Sequence, residues 1–478
     1  MKMKKIQILA AGLSLLLMST ACTSDFEDVN ENPNLIAEIS PGTLLNPIIY
    51  GMSSHYALRS SDVTFNLMQV TVPFPSVSGG LHRYDVSPNI GNSSWSNSYK
   101  WLANIREMRI AAEKAEDENY MAIALTLNAW VYSNLTDVFG PVPMTEAVRA
   151  EEGILYPKYD KQEMIYETIL ADLEAANEMY NLEEDMAYAP DILFNNDILK
   201  WKKFTNSLRM RLLLRISNRT ETNAFQQLTA MINNPEQYPV FETNAESAIL
   251  QVTGVGANVS PWGRPQDFRL NVKMASFFID NLNTFEDPRR PLIATTGTDL
   301  DNNNIGYIGI PSGYAGADSQ FEYNASNLQI TPVTNPMQIF ILPYSEVEFI
   351  KAEMAQRGYT SDAQLHYEKG VKAAIEQLKG TMPATYFDNV AVQYDGTLEQ
   401  IMLQKYYSLY FVDYQQWFEY RRTGLPQLPT TSAMLNNAVM PSRFTYPTDQ
   451  QLYNLSNYQD AVQMIGDDDI NTKVWWDN

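Results

Sequence analysis

Cysteine and histidine are scarce in the 478-residue chain, which contains one cysteine and three histidines. A single cysteine leaves no partner for an intramolecular disulfide. His55, His82 and His366 stand far apart, and no H-E-x-x-H, G-x-S-x-G or P-loop motif occurs. None of the 56 acidic residues is singled out as half of a glycosidase carboxylate pair. We therefore predict a protein that is not an enzyme and needs no cofactor.

Positive charge is also in short supply, because 34 Lys and Arg face 56 Asp and Glu, for a formal net charge of −22. Such a surface repels phosphate backbones, so nucleic acid is a poor partner. It also disfavours docking on anionic lipid headgroups. Neutral ligands remain compatible with this charge.

Long hydrophobic runs are missing apart from residues 6–18, which are shorter than the ~20 apolar residues that span a bilayer. Lysines precede this run, and small residues lead from it to Cys22. The pattern is typical of a lipoprotein signal peptide over residues 1–21. We expect acylation of Cys22, followed by an acidic tether over residues 22–40. The alternative is an ordinary cleaved signal with an incidental cysteine.

Helical periodicity dominates the remaining chain. Apolar residues recur at three- and four-residue steps. Gly358 is predicted to end one helix before the next begins. Repeated pairs of short helices indicate an all-α fold with a tetratricopeptide-like scaffold, although no regular 34-residue motif is present. The predicted helices cover residues 96–116, 119–138, 161–180, 198–218, 344–357, 361–379, 398–410 and 412–421.

Two regions, residues 70–95 and 234–336, interrupt the helical pattern with clustered Gly and Pro. Connections of that length inside a compact protein are usually functional. The second region also contains a strand-like run at residues 248–252. Because no Ser/Pro linker divides the chain, we predict a single helical domain over residues 41–478 that carries both regions as long loops.

Short motifs that combine aromatic, charged and Gly-Pro residues are spread over almost the whole chain. They are FEDVNENPN at 26–34, LTDVFGPVP at 135–143, KWKKF at 200–204, FEDPR at 285–289, EVEFIKAE at 346–353, QKY at 404–406, EYRRTGLP at 419–426 and KVWWD at 473–477. Together, in this order, they resemble the SusD/RagB family of Bacteroidetes outer-membrane lipoproteins. The acidic stretch after Cys22 is similar to the surface-export signal of such lipoproteins. A small departure occurs at residues 441–443, where the family tends to have two adjacent arginines.

This resemblance implies a ligand-binding lipoprotein that is anchored in the outer membrane, faces the cell surface and acts as the lid of a TonB-dependent, SusC-like transporter. Family members bind oligosaccharides or, in the RagB branch, peptides, and they are not enzymes. The tetratricopeptide-like helix pairs and a loop-rich ligand side are family features too. A lid that binds no ligand of its own is a further alternative.

Sugars present apolar C–H faces and hydroxyl groups, so their sites need aromatic rings beside polar hydrogen-bonding groups. Both loop regions supply such residues, which favours an oligosaccharide over a peptide as the ligand. The family motifs do not fix the contact positions, so the candidates are chosen by residue type and location in the loops. The predicted ligand-binding residues are Arg83, Tyr84, Trp95, Trp262, Tyr307 and Tyr314.

The charged and tryptophan residues inside the family motifs have a structural interpretation. We expect Arg421 and Arg422 to pair with carboxylates or to cap carbonyl groups, because they follow an aromatic helix. The glutamates of the 346–353 motif are predicted to form ion pairs. The tryptophans predicted to anchor the core are Trp201, Trp417, Trp475 and Trp476.

One segment has the beginning of a calcium-binding loop. Asp299, Asp301 and Asn303 alternate as in such a loop, and Gly306 follows them. Position 310, where the loop would need a glutamate, is an isoleucine. A solvated turn is therefore the favoured interpretation, and no metal site is predicted.

Overall fold

α-Helices make up most of the regular secondary structure of the molecule. The computed structural model describes residues 40–477, and residues from Pro41 onward form one compact unit. Numbered along the chain, the helices are α1 Pro41–Arg59, α2 Phe65–Leu67, α3 Asn92–Lys114, α4 Glu118–Phe139, α5 Gln162–Met179, α6 Ile198–Arg215, α7 Ala224–Asn233, α8 Ser276–Thr284, α9 Arg290–Ile293, α10 Tyr344–Gln356, α11 Ala363–Gln377, α12 Leu398–Ser408, α13 Gln415–Thr423, α14 Thr448–Tyr453 and α15 Leu455–Ile465.

These helices pack mainly on their neighbours in sequence. Helix α4 lies between α3 and α5, α5 contacts α6, and α12 packs on both α10 and α11. Only a few residues connect α3 to α4 and α10 to α11. Short connections of this kind place neighbouring helices antiparallel. The predicted all-α scaffold is confirmed, and the eight predicted helices correspond to α3–α6 and α10–α13 with shifted ends.

Side-chain caps define where three of the scaffold helices begin. Asp117, Asp197 and Thr397 each accept a hydrogen bond from a backbone N–H three residues later, at 2.9, 3.0 and 3.1 Å. Each cap satisfies a donor that lacks a partner within its own helix and contributes about 1 kcal/mol. The first turns of α4, α6 and α12 are thus set by local sequence.

The strands are short, and all of their pairings are antiparallel. The run predicted at residues 248–252 is indeed a strand, and it pairs with the chain just before α10. The strands are β1 Thr71–Pro73, β2 Ala248–Val252, β3 Val272–Met274, β4 Gly297–Asp299, β5 Asn304–Gly306, β6 Tyr323–Asn324 and β7 Met337–Leu342, arranged as β1–β3, β2–β7 and β5–β4–β6.

The second loop region was wrongly predicted to lack helices. Helix α8 forms within residues 234–336 because Phe278, Ile279 and Leu282 bury one face, with Phe278 against Tyr407 at 5.0 Å. The dense glycines and prolines on either side hid this short periodic segment. The first region is also shorter than expected, since α3 begins at Asn92.

Charged side chains lie inside the helical scaffold as ion pairs. Arg422 binds Glu353 through both terminal nitrogens, at 2.8 and 2.6 Å, and also donates to Glu419 at 2.7 Å. Although burial alone would raise it, the charge of Arg422 holds the pKa of Glu353 below its usual range. Lys405 contacts the same Glu419 at 2.7 Å. The ion-pair prediction for these motif residues is confirmed.

Three of the four motif tryptophans are core residues. Trp201, Trp417 and Trp476 are fully buried. Trp475 is only partly buried; its ring packs against Tyr166, and the Arg219 guanidinium lies over it at 5.3 Å. The core prediction is therefore wrong for Trp475.

Within residues 40–477, no helix combines the length and the hydropathy that crossing a bilayer requires.

Candidate functional site

Three loops contact one another: the first loop (residues 70–91), the second loop (residues 304–325) and the third loop (residues 424–440). The Arg83 Nε group donates to the Ala433 carbonyl at 2.7 Å, and the Leu435 N–H donates to the Arg83 carbonyl at 2.8 Å. Ser312 donates to the His82 carbonyl at 3.3 Å. Each contact joins a side chain or N–H of one loop to the backbone of another, so the three loops form one surface.

Backbone requirements explain part of the loop sequence. Gly313 has a φ of +72°, and a Cβ placed there would lie 2.5 Å from Met434. A side chain at this position would be strained by its φ and would push the third loop away. The Thr431 hydroxyl donates to the Gly313 carbonyl at 3.0 Å. Glycine therefore permits the close contact between the second and third loops.

A cavity of about 410 Å³ opens where the second and third loops meet α8, beside Gln69. We call it the loop cavity. Because Phe278, Ile279 and Leu282 face the core, the opposite face of α8 is left for the cavity. Its lining combines amide, hydroxyl and carboxylate groups with one aromatic ring and two prolines: Gln69, Ser276, Phe277, Asp280, Asn281, Thr284, Pro311, Ser312, Pro429 and Thr431.

Gln69 is the residue of this lining whose hydrogen bonding is incomplete. Its backbone has a φ of +57°, and its side-chain Nε2 donates to the Pro429 carbonyl at 2.8 Å. Within residues 40–477, its buried Oε1 has no hydrogen-bond partner. A buried acceptor without a donor costs about 1–3 kcal/mol. A ligand hydroxyl or amide N–H that reached Oε1 would remove that cost.

His82 lies behind the loop cavity as an uncharged side chain. It is almost fully buried, and neither ring nitrogen has a hydrogen-bond partner within the described part of the chain. Burial, and next to it the positive charge of Arg83, lower the pKa of His82 to about 4. The imidazole is therefore neutral near pH 7 and adds no charge to the site.

Three of the six predicted ligand-binding residues come together at this surface, where they hold the loops. Arg83 links the first and third loops, Tyr84 is buried beside Gln69, and the Tyr314 hydroxyl donates to the Pro73 carbonyl at 2.8 Å. Tyr307 lies on the second loop, half-buried under the Arg290 guanidinium at 5.6 Å.

The two predicted tryptophans lie in other parts of the structure. Trp262 packs on Phe268 and Phe411, at 5.3 and 5.5 Å between ring centroids. Trp95 lies near the start of α3 and packs on Tyr99 and Phe139. Neither residue lines the loop cavity.

Four of the predicted ligand-binding aromatics, Tyr84, Trp95, Trp262 and Tyr314, are buried, whereas a ring that stacks on a sugar has to be exposed. Burial of a large aromatic ring is favourable, so such a ring packs into the protein interior unless the local backbone holds it in solvent. Whether these residues contact a ligand stays a prediction. The loop-cavity residues on α8 and in the third loop were missed, although residues 276–284 carry a weak helical periodicity.

The segment resembling a calcium loop forms the turn between β4 and β5. The Asp299 carboxylate accepts hydrogen bonds from the backbone N–H groups of Asp301 and Asn303, at 2.9 and 2.8 Å, and from the Asn303 amide at 2.9 Å. These contacts agree with the solvated turn favoured above. Across the described residues, no group of three or more His, Cys, Asp or Glu is arranged to hold a metal ion.

Comparison with known families connects this architecture to a group of proteins. The SusD-like family model, described as "Starch-binding associating with outer membrane", matches residues 33–447. The chain belongs to the SusD-like family. None of the curated proteins compared with this SusD-like chain matches it.

Solved structures with the same fold include a protein named as a chitin-binding protein, which is 28% identical with a TM-score of 0.78. The alignment covers 91% of this chain and 98% of that one. A SusD homologue from Bacteroides fragilis is 21% identical with a TM-score of 0.77, over 92% of this chain and 100% of that one. A SusD homologue from Bacteroides uniformis is 22% identical with a TM-score of 0.78, over 91% and 99%.

Proposed function

We propose that this SusD-like protein captures an oligosaccharide in the loop cavity and delivers it to a TonB-dependent, SusC-like transporter. The observation that carries the proposal is the cavity's lining. Amide, hydroxyl and carboxylate groups surround one aromatic ring, and a buried Gln69 acceptor lacks a partner within the described chain. This combination suits a neutral ligand rich in hydroxyl groups.

The comparisons support a glycan as the ligand class. The matching family model is described as starch-binding, and a solved structure with the same fold is named as chitin-binding. Maltohexaose and chitohexaose are therefore the first probes. The absence of a recognised catalytic motif in the sequence supports a binding role without chemistry.

The proposal includes an anchor at the cell surface. Cys22 and the acidic residues that follow it lie outside the described residues, so the sequence alone supports the anchor. Acyl chains on Cys22 would hold the protein on the outer membrane, where the matching family is associated. Loss of palmitate labelling and of the membrane-bound fraction in Cys22→Ala is the expected result, and an unchanged membrane fraction would contradict the anchor.

A glycan array of the soluble chain lacking residues 1–22 tests the binding role, followed by titration of maltohexaose and chitohexaose. We expect Phe277→Ala and Asp280→Ala to weaken binding about tenfold or more, because each removes a cavity contact. Glu178→Ala, an exposed acidic residue on α5, is the matched control and should bind like the parent.

The possible results separate the alternatives. Glycan binding that persists unchanged in both cavity variants would move the site away from the loop cavity. If folded protein binds no glycan but binds a peptide library, the peptide-binding alternative replaces the proposal. If neither class binds, a lid without a ligand of its own is the remaining interpretation.

A further inference from the structure

The two most exposed aromatic side chains among residues 40–477 line a single cleft, although they are about 300 positions apart in sequence. Tyr156 is 62% exposed and Tyr453 is 71% exposed. Among the described residues, the next most exposed aromatic residue is Tyr359, at 40%, and it does not line this cleft. Exposed aromatic groups clustered around a concavity mark binding surfaces more often than chance packing.

This aromatic cleft has a volume of about 370 Å³ and is separate from the loop cavity. Trp95 and Tyr99 line it together with the two exposed tyrosines, and Arg149 and Gln450 add polar groups. Its volume lies within the range of about 300–1,000 Å³ that is usual for small-ligand sites. The two sites have no lining residue in common.

Asparagine side chains fix the backbone that carries Tyr156 against the segment that follows Tyr453. The Asn457 amide donates to the Tyr156 carbonyl at 2.9 Å, and the Asn454 amide donates to the Pro157 carbonyl at 2.9 Å. Asn457 also donates to the Asn454 Oδ1 at 2.8 Å. The segment around Tyr156 is thereby fixed against the residues that follow Tyr453. A cleft that is already formed loses little entropy on binding.

The buried part of the cleft is fixed as well. Trp95 is 6% exposed and packs edge-to-face on Tyr446 at 5.9 Å, while the Tyr99 hydroxyl donates to the Pro143 carbonyl at 2.9 Å. Val148, in the lining, has a φ of +53°. A β-branched residue in this left-handed conformation is strained, and such strain is found preferentially at functional sites.

The charge of the lining is balanced, which excludes a strongly charged ligand as the preferred occupant. Arg149 donates from Nε to Glu152 Oε2 at 2.9 Å, so its charge is compensated. Gln450 accepts from the Tyr159 hydroxyl at 3.3 Å through Oε1, and its amide nitrogen remains a donor. Aromatic faces, phenol hydroxyls and an amide donor match the C–H faces and hydroxyls of a pyranose.

We propose that the aromatic cleft is a second carbohydrate-binding site, which takes a neutral oligosaccharide by stacking on Tyr156 and Tyr453. The inference rests on the proposed function, that the protein binds glycans. It adds a site formed by α3, by the segment before α5 and by α14, which shares no lining residue with the loop cavity.

Isothermal titration with maltohexaose and chitohexaose tests the proposal, on the soluble chain lacking residues 1–22. The parent should bind two molecules of the positive probe. The double variant Tyr156→Ala/Tyr453→Ala should bind one, whereas Phe277→Ala/Asp280→Ala should retain only the cleft. Both tyrosines are highly exposed, so their removal should leave folding intact; Tyr359→Ala is the matched control and should still bind two molecules.

The proposal is overturned if the tyrosine double variant binds the probe with the same stoichiometry and affinity as the parent. If, in that case, the parent binds one molecule and Phe277→Ala/Asp280→Ala binds none, the proposed function still holds and only the second site is rejected. If the folded parent binds neither probe and no array glycan, both proposals fall. If the double variant keeps its glycan sites but loses association with the co-expressed transporter, the cleft is a protein-docking surface instead.

Discussion

The helical scaffold and the loop surface are held together by different kinds of contact. In the scaffold, buried charges pair with one another, as Arg422 does with Glu353 and Lys405 with Glu419. On the loop surface, polar side chains instead donate to backbone carbonyls, as Arg83 does to Ala433. The scaffold contacts join side chains of different helices, whereas the loop contacts fix the path of the chain.

This difference suits the separate tasks of the two regions. A buried charge is costly without its partner, so each ion pair favours one arrangement of helices. Side chain–backbone hydrogen bonds contribute only about 1 kcal/mol each. They hold the loops while leaving the side chains of the loop cavity available to a ligand. The following predictions test the contrast.

The largest expected effect is on a buried ion pair. In Glu353→Ala, the Arg422 guanidinium, whose side chain is fully buried, loses two of its hydrogen bonds to carboxylates. We expect the free energy of unfolding to fall by about 3–5 kcal/mol, as is usual when one member of a buried pair is removed. Urea denaturation followed by circular dichroism measures the change.

The matched control for this prediction is an ion pair on the protein surface. Asp267 pairs with Arg264, whose side chain is 76% exposed. Asp267→Ala should change the free energy of unfolding by less than about 0.5 kcal/mol. Equal losses in Glu353→Ala and Asp267→Ala would contradict the contrast between scaffold and loops.

The next effect concerns pH, because each region contains one histidine whose pKa is lowered chiefly by removal from water. Burial, with a nearby arginine as the second cause, lowers the pKa of both His55 in α1 and His82 in the first loop to about 4. Since the unfolded pKa is about 6.5, the unfolded state binds the proton first as pH falls. The contribution of each neutral histidine to the free energy of unfolding is fully present above pH 6.5 and is lost as the pH falls from 6.5 to 4. At pH 5 the loss is about 2 kcal/mol per histidine.

His82→Leu and His55→Leu each test one of these contributions. The decrease in unfolding free energy from pH 7.5 to pH 5 should be about 2 kcal/mol smaller in each variant than in the parent. Burial raises the pKa of Asp137 to about 6, which has the opposite pH dependence, but this carboxyl is common to parent and variants. If the decrease in unfolding free energy between pH 7.5 and pH 5 is the same in His82→Leu as in the parent, His82 is open to solvent.

The smallest effect is expected for a loop contact. Arg83→Met removes hydrogen bonds to the Ala433 and Ser78 carbonyls but retains most of the apolar stem. We expect about 1–2 kcal/mol less stability, together with faster amide hydrogen exchange in the third loop and unchanged exchange in α10 and α11. Arg264→Met is the control. Uniform faster exchange throughout the chain would indicate that the loops and the scaffold unfold as one unit.

Much of the scaffold was predictable because its signals are local. Asp117, Asp197 and Thr397 are N-caps, and Gly358 follows the end of α10. Apolar residues at helical spacing identified the faces that pack. The motif glutamates were predicted to form ion pairs, and the two arginines to pair with carboxylates or cap carbonyls, because charges that enter the core need partners; which groups pair was not predicted. Helix α8 was not predicted, because its nine residues are too few to show a clear helical periodicity of apolar positions.

The candidate site was less accessible to sequence reasoning. Residue type placed Arg83, Tyr84 and Tyr314 in the right loops but not in the cavity lining, because burial depends on neighbours that are distant in sequence. Gln69 and Pro429 are 360 positions apart, yet one hydrogen bond joins them. Likewise, Tyr156 and Tyr453 line the same cleft only because α14 lies beside the segment that precedes α5.

The sequence by itself predicted eight helices of the scaffold with ends within a few residues, the formation of ion pairs by the motif charges, and the family to which the chain belongs. Periodicity, capping and charge balance act between near neighbours, so they can be read along the chain. Only the tertiary structure decided which aromatic rings are buried and which polar groups line the two sites. Exposure and cavity shape arise from packing between distant segments, and a linear pattern contains no measure of that distance.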